Sequence, residues 1–267
     1  MADVLAEILA HKRGEVERAR AARPVDDLMT SPGYAEPRRD FYAAVTTPHA
    51  GRPNLIAEVK RSSPSAGLIQ ANFEPVAIAR HYEAGGAAAL SVLTDEKYFG
   101  GRLEYLVQIK AAVALPVLRK DFIVDSYQVH ESRAAGADAV LVIADALDVA
   151  RIVELVGLAR TLDLCVLLEV HTTECLATAV DVIHREKRGG VVLGINNRDL
   201  QAQRIELATT ERLARLVPAA WPFVAESGIK TRADVVRLHA AGARALLIGE
   251  TLMRSGTPAA TIRELLG

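Results

Sequence analysis

"AAGADAVLVI", Ala134 to Ile143, carries two signals in ten residues. Its small residues and Gly136 read as a helix C-cap, because glycine takes the left-handed conformation that ends many helices without a steric penalty. The apolar run that follows is short and rich in Val and Ile, as a buried strand is. The same junction recurs as "EAGGAAALSVL" at Glu83–Leu93 and as "AAGARALLIG" at Ala240–Gly249. A helix stop leading straight into a strand, three times over, is an internal repeat of a βα unit.

Working outward from these junctions, apolar runs begin at Leu55, Ala89, Pro116, Ala139, Cys165, Val191, Pro222 and Ala245. None alternates cleanly with polar residues, which is the pattern of strands covered on both faces of a parallel sheet. Helix starts lie between them. Asp125 to Gln128 and Thr231 to Asp234 have capping-box spacing, and Thr257 precedes a proline suited to the first helical position. Eight such units close into a (β/α)8 TIM barrel, for which roughly 210 residues from Asn54 onward are near the lower limit. A doubly wound open sheet is the alternative, weakened by the lack of G-x-G-x-x-G after the first strand.

Residues 1–50 stand apart. Val4, Leu5, Ile8, Leu9 and Val16 form one apolar stripe up to Pro24, and "RDFYAAV" from Arg39 reads as a second short helix. Too short for a core of its own, this segment is expected to be an N-terminal helical extension packed on a catalytic barrel of residues 51–267.

The chain of 267 residues is half hydrophobic, with a formal net charge of -1. That balance argues against nonspecific nucleic-acid binding. Cys165 and Cys175 show no metal-ligand or disulfide-framework spacing, which suits a reducing compartment. The first ten residues, with Asp3 and Glu7, lack a basic leader and apolar run. No apolar run approaches the ~18 residues of a membrane span. A cytoplasmic protein without membrane attachment is expected.

In a TIM barrel, chemistry sits at the C-terminal ends of the strands, and there the polar residues gather. The first strand ends in Glu58 and Lys60, two apart and so on one face. The third ends in Lys120 and Phe122, with Arg119 and Asp121 on the opposite face as outward rim partners. The fifth ends in Glu169 and His171, and the sixth in Asn196, Asn197 and Arg198. The seventh ends in Glu226, Ser227 and Gly228, and the eighth in Gly249 and Glu250. Small residues after the last two strands allow backbone to approach a phosphate. Each feature alone has a structural reading: a rim ion pair for Glu58 and Lys60, a helix-snorkelling Lys120, a helix-capping Glu169, turn asparagines, a rim His171, a packing Trp221. Together they suit proton transfers on an anionic, phosphorylated substrate. No His, Cys, Asp or Glu cluster has metal-ligand spacing, and neither cysteine has a paired base.

"EVKRSSPSAG", "SVLTDEKYFGG", "PVLRKDFIVDSYQ", "LLEVH", "GINNRDL", "VAESGI" and "LIGETLMR" occur in an order and spacing that resembles the indole-3-glycerol phosphate synthase family. With the N-terminal extension, the resemblance covers nearly the whole chain. It implies closure of 1-(2-carboxyphenylamino)-1-deoxyribulose 5-phosphate to indole-3-glycerol phosphate, with loss of CO2 and water, in tryptophan biosynthesis. It implies no metal or organic cofactor. By motif position, Lys120 would be the general acid at the ketone oxygen. Glu58, Lys60 and Glu169 would divide the later proton transfers, in an order the sequence leaves open. Ser63, Asn196 and Arg198 would bind the substrate carboxylate and hydroxyls, and Pro64 and Phe122 would flank the aromatic ring. Ser227, Gly228, Gly249 and Glu250 would form the phosphate pocket.

One departure stands out: the family often has lysine where this chain has Ala66, removing a loop charge that could steer substrate. A phosphosugar isomerase, a Schiff-base aldolase and a catalytically silent phosphate-binding barrel are the competing readings. The expected partner is the small-molecule substrate, with no nucleic acid. A monomer is expected, and association with other tryptophan-pathway enzymes stays open.

Overall fold

The computed structural model describes residues 4–49, 51–185, 190–199, 204–219 and 221–267. Asp3, Ala50 and Leu200, which enter the sequence reading, lie outside these ranges. Eight parallel strands close into a TIM barrel: β1 (Asn54–Val59), β2 (Ala89–Leu93), β3 (Val117–Lys120), β4 (Ala139–Ile143), β5 (Cys165–Val170), β6 (Val191–Asn196), β7 (Phe223–Glu226) and β8 (Ala245–Ile248). Each pairs with its sequence neighbours, and β8 returns to β1 through Asn54–Ala245 and Ile56–Leu247. All eight lie within the expected runs.

The two faces of every strand are buried for different reasons. Leu55, Ala57, Leu90, Val92, Val140, Val166 and Leu168 face outward and pack under the surrounding helices. Ile56, Leu118, Leu141, Leu167, Val192, Val224 and Leu247 face inward and fill the barrel. Each large side chain so buried stabilises the fold by about 1.5–3 kcal/mol before entropy is counted. This double burial is why the strands read as continuous apolar runs.

The junctions behave as their sequence suggests. Gly86, Gly136 and Gly242 have φ of 94°, 88° and 104°, in the left-handed region at the ends of their helices. Capping boxes form at Asp125–Gln128 and Thr231–Asp234. At Thr257 the expectation holds only in part. Pro258 occupies the first turn, but the threonine side chain makes no capping hydrogen bond.

Four helices precede the barrel: α1 (Val4–Ala22), α2 (Val25–Met29), α3 (Pro32–Ala35) and α4 (Phe41–Thr46). The sequence reading anticipates the first and last, and α2 and α3 are too short to show periodicity. Phe41 and Val45 of α4 join the inward-facing cluster and seal the N-terminal end of the barrel. The stripe on α1 contains a residue no apolar pattern includes. Lys12 is only 4% exposed, and its Nζ lies 2.8 Å from Asp95 and 2.9 Å from Asp121 at the opposite, C-terminal end.

Candidate active site

Side chains of a strand alternate, so the residue two places beyond an inward apolar position also points inward. On β1, Ile56 is followed by Glu58; on β3, Leu118 by Lys120; on β5, Leu167 by Glu169; on β7, Val224 by Glu226. The apolar layer is thus capped at the C-terminal end by a layer of charge, above which opens a cavity of about 610 Å3. All thirteen residues assigned a role from the sequence border it: Glu58, Lys60, Ser63, Pro64, Lys120, Phe122, Glu169, Asn196, Arg198, Ser227, Gly228, Gly249 and Glu250. Lys120 does not snorkel between helices, and Glu169 is no helix cap.

Charges this buried persist only when paired. Lys60 Nζ lies 2.6 Å from Glu58 Oε1. Lys120 Nζ lies 2.8 Å from Glu169 Oε2 and 3.6 Å from Glu226 Oε2. Asn196 donates from Nδ2 to Glu169 Oε1 at 3.1 Å, and its own Oδ1 accepts the Arg198 amide at 3.0 Å. The Arg198 guanidinium reaches across to Ser65 Oγ at 3.0 Å, joining the loops after β6 and β1. Ser63 Oγ accepts the Ala66 amide at 3.2 Å and so holds the turn after β1.

Two glycines make room for the carboxylates. A Cβ at Gly194 of β6 would overlap Glu226 Oε1, and one at Gly249 after β8 would overlap Glu58 Oε1. Any larger residue there would displace a charged group from the cavity floor.

Electrostatics split the two carboxyls that flank Lys120. Burial alone would raise Glu169, but the Lys120 ammonium and His171 hold it well below the usual carboxylate range. Glu226 is pushed well above that range by burial and by the neighbouring Glu169, which Lys120 only partly offsets. Burial disfavours the Lys120 ammonium, yet attraction to Glu169, Glu226 and Glu58 more than compensates and keeps it protonated. The site therefore pairs one committed anion with one neutral carboxylic acid around a single ammonium.

Several residues of the site carried no assigned role in the sequence. Glu226 stood at a strand end but was overshadowed by the Ser-Gly pair after it. Lys230 and Arg254 border the cavity beside Ser227 and Glu250, and Arg254 Nε binds Glu250 Oε1 at 2.9 Å. Val4, Leu5 and Ile8 of α1 also form part of the wall, so the N-terminal stripe does more than pack on the barrel. His171 is a correction: expected on the rim, it is 8% exposed and in contact with Glu169. Arg119 and Asp121 do point away from the barrel interior, but they are buried beneath α1 and the helix Ser126–Ala134 rather than on an open rim.

The family model described as indole-3-glycerol phosphate synthase matches residues 5–265. The chain belongs to the indole-3-glycerol phosphate synthase family. Relatives bearing that name include one from Rhodospirillum rubrum, 47% identical with 100% of both chains covered. Another, from Azospirillum brasilense, is also 47% identical with complete coverage of both. A third, from Albidiferax ferrireducens, is 46% identical over 99% of this chain and 98% of its own. Among solved structures, a 3-hexulose-6-phosphate synthase is 19% identical, covers 79% of this chain and 97% of its own, and has a TM-score of 0.60. A second, from Salmonella typhimurium, is 16% identical with a TM-score of 0.63 over 79% of this chain and 96% of its own. At that identity the two show the barrel fold alone. For the synthase family, the charged floor, the deep cavity and the small-residue turns after β7 and β8 now have coordinates in this chain.

Proposed function

We propose that this chain closes the pyrrole ring of 1-(2-carboxyphenylamino)-1-deoxyribulose 5-phosphate, releasing CO2 and water to give indole-3-glycerol phosphate in cytoplasmic tryptophan biosynthesis. The observation that carries this reading is the Lys120 ammonium held between Glu169 and Glu226 on the floor of the family's cavity.

As the aromatic carbon bearing the carboxylate attacks the ketone, negative charge grows on the ketone oxygen. An ammonium aimed at that oxygen stabilises the charge and delivers its proton. Lys120 is suited to this because it stays protonated until an oxyanion more basic than its carboxylate partners develops. Ring closure leaves an iminium, the electron sink into which the C–CO2 bond breaks, restoring the aromatic ring. The hydroxyl then leaves with a proton from an acid, and a base removes the ring proton. Glu169, held as an anion, is assigned to that base. The Glu58–Lys60 pair supplies the second acid and helps hold the substrate. Ser63, Asn196 and Arg198 would engage the substrate carboxylate and hydroxyls, while Pro64 and Phe122 flank the ring. Backbone at Ser227, Gly228, Gly249 and Glu250, with Lys230 and Arg254 nearby, would receive the phosphate. None of these steps calls for a metal or an organic cofactor.

The test is direct. Purified protein supplied with the carboxyphenylamino-deoxyribulose phosphate is expected to generate indole fluorescence together with stoichiometric CO2. Absence of both, with the substrate intact, would overturn the proposed reaction.

A further inference from the structure

His171 lies two residues beyond Glu169, yet neither it nor its partner Asp145 borders the cavity. Its Nδ1 is 2.9 Å from Asp145 Oδ2, supplied by the 3-10 turn Ala144–Ala146 that follows β4. Its Nε2 is 3.3 Å from Glu169 Oε1, a charge contact rather than an in-line hydrogen bond. A neutral imidazole has one N–H and one lone pair, so between two carboxylates it would turn a lone pair toward an anion. Only the doubly protonated ring suits both sides. Burial opposes that charge, but hydrogen bonding to Asp145 and Glu169 outweighs it and takes the group up to about 10.

We propose that His171, backed by Asp145, is a positioning residue that fixes the Glu169 carboxylate between Lys120 and Asn196 and makes Glu169, rather than Glu226, the carboxylate of the pair. The proposal rests on the assignment of Glu169 as a proton-transfer group. Glu169 faces Lys120 from β3, Asn196 from β6 and Glu226 from β7; the charged group on its remaining side is His171. His171 in turn faces Asp145, with Cys175 and Glu174 of the following helix nearby. Two adjacent carboxyls around one ammonium would otherwise compete for a single proton. A cation on one side breaks the tie: it contacts Glu169 and not Glu226, so the proton settles on Glu226. When Lys120 gives its proton to the substrate, the imidazolium remains as the cation that keeps Glu169 from taking one up too early.

The test compares pH profiles of kcat/KM for the wild type, His171→Gln and Asp145→Asn. In His171→Gln, the acid limb is expected to move up by about one to two pH units, because losing a cation in contact raises the Glu169 pKa. Turnover at neutral pH should fall roughly tenfold, the equivalent of one pKa unit of interaction, with KM nearly unchanged. Asp145→Asn should shift the limb the same way by less. Side-chain 15N spectra of the free wild-type enzyme should show His171 protonated on both nitrogens at pH 8, a reading that needs no variant to fold. An unmoved acid limb in both variants, or a neutral His171 tautomer, would overturn the proposal while leaving the reaction intact. Near-normal turnover in Glu169→Gln would instead remove the base assignment, and this proposal with it.

Discussion

The two faces of strand β3 carry buried charge clusters of similar composition that do different things. Inward, Lys120 meets Glu169 and Glu226. Outward, Arg119 meets Asp121 at 3.1 Å and Glu131 at 2.8 Å, while Lys12 arrives from α1 to bind Asp121 and Asp95. The outward cluster has hydroxyls and carbonyls filling the gaps: Arg119 also donates to Thr94, Ser132 and the Gln128 carbonyl, and Thr94 donates to Asp121 at 2.6 Å. It leaves no space for a guest, so its charges serve to dock α1 against the barrel. The inward cluster has the same kinds of groups but opens into the cavity and keeps a buried carboxyl atom, Glu226 Oε1, without a hydrogen-bond partner. Buried charge turns catalytic where its coordination is left incomplete beside a cavity.

The largest expected effect breaks the inward cluster. Lys120→Ala should lower turnover by about a thousandfold or more, consistent with losing a general acid that also stabilises charge. Its melting temperature should fall little or rise, since two carboxyls can share the space without an ammonium only by protonating. Near-normal indole formation would show that another group delivers the first proton.

The outward cluster should respond in the opposite sense. Lys12→Met leaves Asp95 without its cation and should cost about 3 kcal/mol of stability, the lower end for breaking a buried pair. Turnover per folded molecule should change far less than in Lys120→Ala, as judged by denaturant melts and active-site titration. Equal losses of stability and turnover would mean the two clusters act as one.

Acid sharpens the same contrast. Salt-bridge partners pull Asp121 from the ordinary 3.8 down to about 2, despite its burial. A group depressed in the folded state contributes stability that is complete above its unfolded value and lost as pH falls through the folded one. Asp121 should therefore contribute about 2 kcal/mol that drains away between pH 4 and pH 2. Asp121→Asn should flatten the stability curve across that window; an unchanged slope would count against the ion pairs.

The smallest effect concerns capture rather than chemistry. Ala66→Lys places a cation on the turn after β1, facing the cavity mouth, and should raise kcat/KM a few-fold at low ionic strength. The gain should fade as salt screens it beyond roughly 10 Å at 0.1 M. An unchanged Michaelis constant at low salt would rule out loop-borne steering.

The barrel was legible because double burial leaves an apolar signature on every strand and glycine marks the junctions. Strand alternation even sorted Lys120 from Arg119, with no structure in hand. What stayed hidden were partnerships between residues distant in sequence. Lys12 looks like a solvated interruption of an apolar stripe until Asp95 and Asp121 are brought over it. His171 looks like a rim residue until the turn after β4 delivers Asp145. Glu226 looked secondary because a phosphate-type turn follows it directly. Gly194 shows nothing on its own, since its absent side chain matters only where the Glu226 carboxyl fills the space.

Phe41 and Val45 plug the far end of the barrel. The reaction vessel therefore has a single door. Carbon dioxide, water and the finished indole must all leave by the route the substrate entered, past Arg198 and the loop that holds Ser65. Slowing that door, for instance by tightening the Arg198–Ser65 link, would hold back every product at once, and turnover would then report traffic rather than bond making.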